Sequence, residues 1–120
     1  MSKPTSPEQL HRALADAFNA RDLSAVLALY TPDGALYGEQ GKASGNEQLA
    51  AALQQFFQLP GDMTVETVFA VEHQGLALAR SKWSVVADGK VTAAASGVEI
   101  MRRHDDGTWS FIVDHPFGAQ

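Results

Sequence analysis

The spacing of apolar residues changes once along the chain, near residue 60, and this change restricts the fold more than any other feature. Before it, apolar residues recur about every 3.6 positions, as on helices; from Met63 onward they alternate with more polar residues, as on strands with one buried face. Helices followed by a meander of strands are typical of the α+β class. We therefore expect one domain, 1–120, with three N-terminal helices on a curved, mainly antiparallel sheet, and a flexible tail at 1–5.

Capping residues mark where the helices begin. Ser6–Gln9 and Ser44–Glu47 both fit a capping box, and they predict the starts of the first and third helices. Asp22 is placed to cap a short second helix that ends at Tyr30. Thr31–Gly34 then predicts a tight turn. A short strand, 35–37, and a polar loop, 38–43, should follow before the third helix.

Hairpin signals divide the C-terminal half into four strands. Turn residues occur at His73–Gly75, Asp88–Gly89 and Asp106–Gly107. They predict strands near 63–72, 76–87, 91–104 and 108–116. Consecutive strands joined by such short turns pair in antiparallel fashion.

Composition excludes several classes of function. The 120 residues include no Cys, which excludes disulfides, thiolate metal sites and a Cys nucleophile. The net charge is −5 and there is no basic run, so we expect no nucleic-acid partner. No apolar stretch is long enough to span a membrane and no secretory signal is visible, so we expect no membrane partner and a cytoplasmic location.

Metal and cofactor motifs are absent from the sequence. His11, His73 and His104 lack the spacing of a metal site, so no bound metal is expected. There is no glycine-rich phosphate loop and no dinucleotide-binding fingerprint, so no cofactor is expected.

Three segments resemble a known superfamily. Phe18–Leu23 and Leu27–Gly34 are similar to the opening of the nuclear transport factor 2-like superfamily. Gly107–His115 resembles the last strand of its SnoaL-like and SgcJ/EcaC-type members. The resemblance implies a cone-shaped domain with a pocket between helices and sheet, often in a dimer packed through the sheet. It leaves activity open, because a fold of this kind supports many functions.

The ketosteroid isomerases in this superfamily use a carboxylate base together with a Tyr and a protonated Asp. In this sequence the base position falls at Gly38 and the Tyr position at Leu14, so both groups are missing. The third position is acidic, at Glu99. Glu39 neighbours the base position, but a shift of one residue on a strand points to the other face. The resemblance therefore implies that this chain does not use that mechanism.

Glu99 and Asp114 are the candidate catalytic pair. A two-residue loop at Asp106–Gly107 would set these residues opposite each other on adjacent strands. Two buried carboxylates that close cannot both ionise easily, so one would hold a proton near neutral pH. Such a pair could act as general acid and base.

The opposite orientation is an open alternative for this pair. Trp109, Phe111 and Val113 alternate with Asp114, and their face is the more apolar one. On that pattern both carboxylates would face water. Small residues on the face of Glu99, including Gly97, favour a ligand pocket instead.

Register also decides the role of Trp83. A two-residue loop at Asp88–Gly89 would place Arg80 near Glu99 and send Trp83 to the other face, whereas a three-residue loop or a bulge would reverse this. Trp83 would then form a wall for a flat ligand, or simply pack in the core.

Seven side chains are candidate pocket residues, each with packing as its alternative role: Trp83, Tyr30, His115, Phe18, Phe57, Met63 and Met101. Together these features predict a protein that holds a small apolar molecule. It could be an acid–base isomerase, cyclase or dehydratase, a ligand-binding domain, or a dimeric association domain. A homodimer formed through the sheet is expected in each case.

Overall fold

The computed structural model describes residues 3–120, which form three helices and one six-stranded sheet. The elements in chain order are α1 (Pro7–Asn19), α2 (Leu23–Leu27), β1 (Tyr30–Gly38), β2 (Gly41–Ser44), α3 (Asn46–Phe56), β3 (Asp62–His73), β4 (Leu76–Ala87), β5 (Lys90–Arg103) and β6 (Trp109–His115). The strand order is β2-β1-β6-β5-β4-β3. Neighbouring strands are antiparallel except β1 and β6, which are parallel. The α+β class is confirmed, with a curved mixed sheet.

The N-terminal half differs from expectation in its order of elements. Only α1 and α2 precede the sheet, because the expected polar loop contains β2 and α3 follows it. Tyr30 begins β1 instead of ending α2, and the expected turn at Thr31–Gly34 lies inside β1, at a register shift against β6. Gly34 permits this shift, since a Cβ there would come within 3.1 Å of the Phe111 carbonyl oxygen.

The predicted caps are formed at two of the three helices. Ser6 Oγ accepts from Gln9 N at 3.1 Å, and Asp22 Oδ1 accepts from Ala25 N at 3.1 Å. The α3 cap is Gly45, with no side-chain hydrogen bond, so the second capping box is wrong.

The expected tail at 1–5 is held in place where the structure describes it. Residues 1 and 2 of that tail lie outside the described residues. The carbonyl of Pro4 accepts from Trp109 N at 3.0 Å, which attaches the chain to β6 before α1 begins.

Two residues, one at the end of α1 and one just after it, attach the helix layer to the sheet. The Asn19 side chain accepts from Met63 N at 2.6 Å and donates to the Met63 carbonyl at 3.0 Å. The Arg21 guanidinium donates to four backbone carbonyls, three of them between residues 57 and 61. This part of the resemblance therefore has a structural role: it fixes the start of β3 against α1.

Three bulges bend the long antiparallel strands. Each inserts one extra residue: Val68 in β3, Thr92 in β5 and Ile112 in β6. A bulge increases the local bend and twist of a strand. The sheet is therefore curved, and the helices cover its concave inner face, where the two clusters of buried apolar residues lie. None of the helices in 3–120 is both long and apolar enough to span a membrane.

Candidate functional site

A cavity lies between the helices and the inner face of the sheet, and its empty volume is about 550 Å³ when the space open to solvent is included. Its wall is mainly apolar and includes five of the predicted pocket residues: Phe18, Tyr30, Phe57, Met63 and Trp83. Five polar side chains interrupt this wall: His11, Tyr30, Ser81, Glu99 and Asp114. An apolar enclosure with a few convergent polar groups is the usual form of a small-molecule site.

Glu99 and Asp114 face this cavity as register partners on β5 and β6. Glu99 is 3% exposed and Asp114 is 5% exposed, so the water-facing alternative is wrong. The reason is the bulge at Ile112, which breaks the alternation of β6. Phe111 and Asp114 both point inward, although they are three positions apart.

The register of β5 and β6 arises differently from the expected two-residue hairpin. Arg103 pairs with Trp109, which leaves a five-residue loop, 104–108. An odd-length loop shifts the pairing by one residue, and the bulge at Ile112 shifts it back before Glu99 meets Asp114. The predicted pairing of Glu99 with Asp114 is confirmed, but it depends on the bulge at Ile112 as well as on the length of the loop.

Asp114 is held at one oxygen only. The Tyr30 hydroxyl donates to Asp114 Oδ2 at 2.6 Å, and within residues 3–120 nothing hydrogen-bonds to Oδ1. Burial, with a smaller contribution from the charge of Glu99, raises the pKa of Asp114 to about 7. Burial and the neighbouring Asp114 charge raise the pKa of Tyr30 well above its usual value, so its hydroxyl keeps its proton. A carboxyl group with a pKa near neutral pH can both give and take a proton.

Glu99 has both oxygens engaged. His11 Nε2 lies 2.5 Å from Oε1, and the Ser81 hydroxyl donates to Oε2 at 2.8 Å. The other ring nitrogen of His11 lies 2.6 Å from Thr67 Oγ1. Gly97 leaves room for this network, because a Cβ there would lie 2.7 Å from Glu99 Oε2 and 2.8 Å from Ser81 Oγ.

Trp83 belongs to the cavity wall because of the bulge at Thr92. The Asp88–Gly89 loop has two residues, which alone would send Trp83 outward, and the bulge returns it to the inner face opposite Ala95. Its indole N–H donates to the Pro116 carbonyl at 2.8 Å, which fixes the ring. Arg80 consequently lies on the outer face, opposite Val98.

Two predicted pocket residues do not line the cavity. His115 follows the inward-facing Asp114, so it lies on the outer face, where its ring stacks on Tyr37 at 5.6 Å between centroids. Met101 is fully buried in the core beside Phe111 and has no surface in the cavity. Tyr30, by contrast, lies in the cavity as a predicted pocket residue.

Sequence reasoning missed His11 and Ser81. His11 is 1% exposed, so it lies on the buried side of α1. Its spacing to Ala15 and Phe18, four and seven positions on, could have placed it on a buried helix stripe. Ser81 lies two positions from both Ala79 and Trp83, which is the period of one strand face.

Comparisons with known proteins identify the family. The family model of the SnoaL-like domain matches residues 11–112. A ketosteroid isomerase-like protein from Erwinia carotovora atroseptica is 31% identical, with a TM-score of 0.73 over 90% of this chain and 89% of its own. No match was found among curated proteins.

More distant structures share the fold. A chain described as a calcium/calmodulin-dependent protein kinase type II association domain, from Thiobacillus denitrificans, is 20% identical with a TM-score of 0.81 over all of both chains. A domain of unknown function with a cystatin-like fold, from Nostoc punctiforme, is 20% identical with a TM-score of 0.78 over 94% of this chain and 75% of its own. The protein described here belongs to the SnoaL-like domain family of the nuclear transport factor 2-like superfamily.

Proposed function

We propose that the protein catalyses proton transfer on a small, mainly apolar molecule held in the cavity, with Asp114 as the group that gives and takes the proton. The observation that carries this proposal is the state of Asp114: it is buried, its pKa is raised to about 7, and one of its oxygens is free at the cavity wall. An isomerisation, cyclisation or dehydration needs such a group beside an acidic C–H or a leaving hydroxyl.

Glu99 has a different part in this proposal. Its oxygens are already bonded to His11 and Ser81, so neither is free for a substrate. Its charge raises the pKa of Asp114, and its hydrogen bonds hold that charge in one place. Glu99 is therefore a positioning residue for Asp114 rather than a second proton carrier.

Tyr30 completes the arrangement by fixing the orientation of Asp114. The hydroxyl donates to Oδ2, and this bond partly offsets the rise in the pKa of Asp114. Oδ1 remains as the atom that meets a ligand. The rest of the wall is apolar, which suits a ring compound with a single polar group near Asp114.

The test is turnover of 5-nitrobenzisoxazole, a flat probe whose ring opens when a base takes its C3 proton. The electrons of that C–H bond form the nitrile and the N–O bond breaks, which releases a coloured phenolate. We expect the rate to rise with pH around a midpoint of about 7, because the carboxylate form of Asp114 is the base.

Asp114→Asn should reduce this turnover to the rate in buffer while leaving probe affinity and folding intact. Asp33→Asn is the matched control, since Asp33 is an exposed carboxylate outside the cavity wall, and it should leave turnover unchanged. Turnover that survives Asp114→Asn would overturn the catalytic role. Binding of the probe without any turnover by the wild-type protein would favour a non-catalytic binding domain instead.

We also propose that the outer sheet face associates two copies of the chain. Val71, Leu78, Ile100 and Val113 are register partners and form one apolar row across β3, β4, β5 and β6. The first three are 57%, 47% and 39% exposed. A row of this kind can pack on its own copy across a two-fold axis, and contiguous exposed apolar surface is typical of interaction sites.

Light scattering tests this association. We expect twice the chain mass of 12.9 kDa for the wild-type protein and the mass of one chain for Leu78→Lys. Gln54→Lys, which adds the same charge at an exposed position of α3, should remain a dimer. A single-chain mass for the wild-type protein at micromolar concentration would contradict the proposal.

A further inference from the structure

A second concavity lies beside the cavity, next to the β1–β2 hairpin. This cleft has an empty volume of about 1470 Å³ up to solvent and is formed by the β1–β2 hairpin, α3 and the first half of β5. The cavity and the cleft share two side chains, Phe56 and Trp83. The boundary between the two spaces is therefore one layer of aromatic rings.

Three aromatic rings make up this boundary. The Trp83 ring is edge-on to Phe56 at 6.1 Å and to Phe117 at 5.6 Å between centroids, and Phe56 stacks on Phe117 at 6.3 Å. Trp83 is fixed by its bond to the Pro116 carbonyl. Phe56 is only half-buried, so its ring is less confined than that of Trp83, which is 7% exposed. Rotation of Phe56 would connect the two spaces.

The cleft differs from the cavity in its chemistry. Three side-chain amides line it: Gln40, Gln48 and Gln55. Within residues 3–120, the amides of Gln40 and Gln55 make no hydrogen bond, and Gln48 uses only its oxygen, which accepts from Ser44 N at 3.0 Å. Amides both donate and accept, as hydroxyl groups do.

The charges of the cleft cancel. Its charged lining residues in the described chain are Glu39 and Lys42, one of each sign. Small residues such as Gly38 and Ala51 form much of the remaining wall and leave space. A cleft with amides, room and no net charge suits a neutral, hydroxyl-bearing group rather than an ion.

We propose that the cleft is a second binding compartment for the same ligand: a flat apolar body lies in the cavity, and a neutral hydroxylated arm extends past Phe56 and Trp83 into the cleft. This inference rests on the proposed function, because it takes the cavity as the site of the apolar body. It adds the chemical class of the ligand, a ring compound that carries a polyol or sugar-like substituent.

A matched pair of probes tests the arm site: 2-naphthol and its β-D-glucopyranoside, measured by equilibrium dialysis. The two share the naphthalene body, and the glucoside carries the sugar arm in place of the phenolic hydrogen. We expect the glucoside to bind the wild-type protein about tenfold more tightly, as expected for one or two net hydrogen bonds to neutral groups.

Variants of α3 locate the effect. Ala51→Trp fills the cleft from an exposed position and should abolish the advantage of the glucoside without changing naphthol affinity. Gln54→Trp, an exposed position of α3 outside the cleft lining, is the matched control and should leave both affinities unchanged. Gln55→Ala, a milder change, should reduce the advantage in part.

The outcomes separate this inference from the proposed function. If naphthol binds and the glucoside binds equally or more weakly, the arm site is wrong and the cavity proposal stands. If neither compound binds, the cavity does not accept an apolar body, and both proposals fail. If the glucoside keeps its advantage in Ala51→Trp, the arm lies somewhere other than the cleft.

Discussion

Each face of the sheet carries side chains that stability alone rarely places there. The inner face buries Glu99 and Asp114 together with His11, whereas the outer face exposes Val71 and Leu78. Charged residues are rarely buried without partners, and large apolar patches are rarely left exposed. Both faces therefore depart from what stability alone would select. This difference supports the two proposed roles, with binding and proton transfer at the inner face and association at the outer face.

The largest expected effect comes from breaking the inner network. His11→Leu removes the partner of Glu99 Oε1 and leaves a buried carboxylate half-satisfied, so it should lower the free energy of unfolding by about 3–5 kcal/mol. Leu78→Thr on the outer face should change the stability of the monomer by about 1 kcal/mol or less. Chemical denaturation of both variants as monomers compares the two faces.

His11→Gln provides the control for this comparison. It replaces the imidazole ring with an amide but keeps a donor for Glu99, so its loss of stability should be smaller than that of His11→Leu. Equal losses in the two variants would mean that packing, and not the hydrogen bond to Glu99, accounts for the effect.

The next effect is the pH dependence of stability. Asp114 takes up its proton near pH 7 in the folded protein and near 3.8 when unfolded, so the folded state binds more protons between these values. Its contribution to stability therefore falls as the pH rises through this range. Asp114→Asn should gain stability relative to the wild-type protein over the same range, by at most about 4 kcal/mol.

Denaturation at several pH values measures this difference. Asp33→Asn, which removes an exposed carboxylate, should show a much flatter difference against the wild-type protein. A flat curve for Asp114→Asn as well would mean that the Asp114 carboxyl titrates normally in the folded state.

The smallest effect concerns the influence of Glu99 on Asp114. Glu99→Gln removes the like charge that helps to raise the pKa of Asp114, so the midpoint of probe turnover should move down by about one pH unit. Glu66→Gln removes the same charge from an exposed position on β3 and should leave the midpoint in place. An unchanged midpoint in Glu99→Gln would mean that burial alone raises the pKa of Asp114.

Much of the fold could be predicted from the sequence because it is encoded locally. The caps at Ser6 and Asp22 and the turns that contain Gly75 and Gly89 are short-range signals, and strands β3 to β6 begin and end within two residues of their predicted limits. The position of α3 after β2 was missed because a four-residue edge strand such as Gly41–Ser44 has no distinct periodicity.

The site was only partly predictable because bulges set its orientation. Alternation counted along β6 puts Phe111 and Asp114 on opposite faces, and the extra residue Ile112 puts them on one. The extra residue Thr92 in β5 likewise shifts the register so that Trp83 lies on the inner face. No local signal in the sequence marks either bulge. His11 reaches Glu99 from 88 positions away, a contact that only the packed fold creates.

The central claim is that Asp114 changes protonation near neutral pH while facing the cavity. The direct measurement is the ¹³C chemical shift of aspartate side-chain carboxyls as a function of pH, with Asp114→Asn used to assign the signal. The claim predicts a midpoint near 7 for Asp114 that moves when the apolar probe binds. A midpoint near 3.8, the ordinary value for an aspartate, would contradict it.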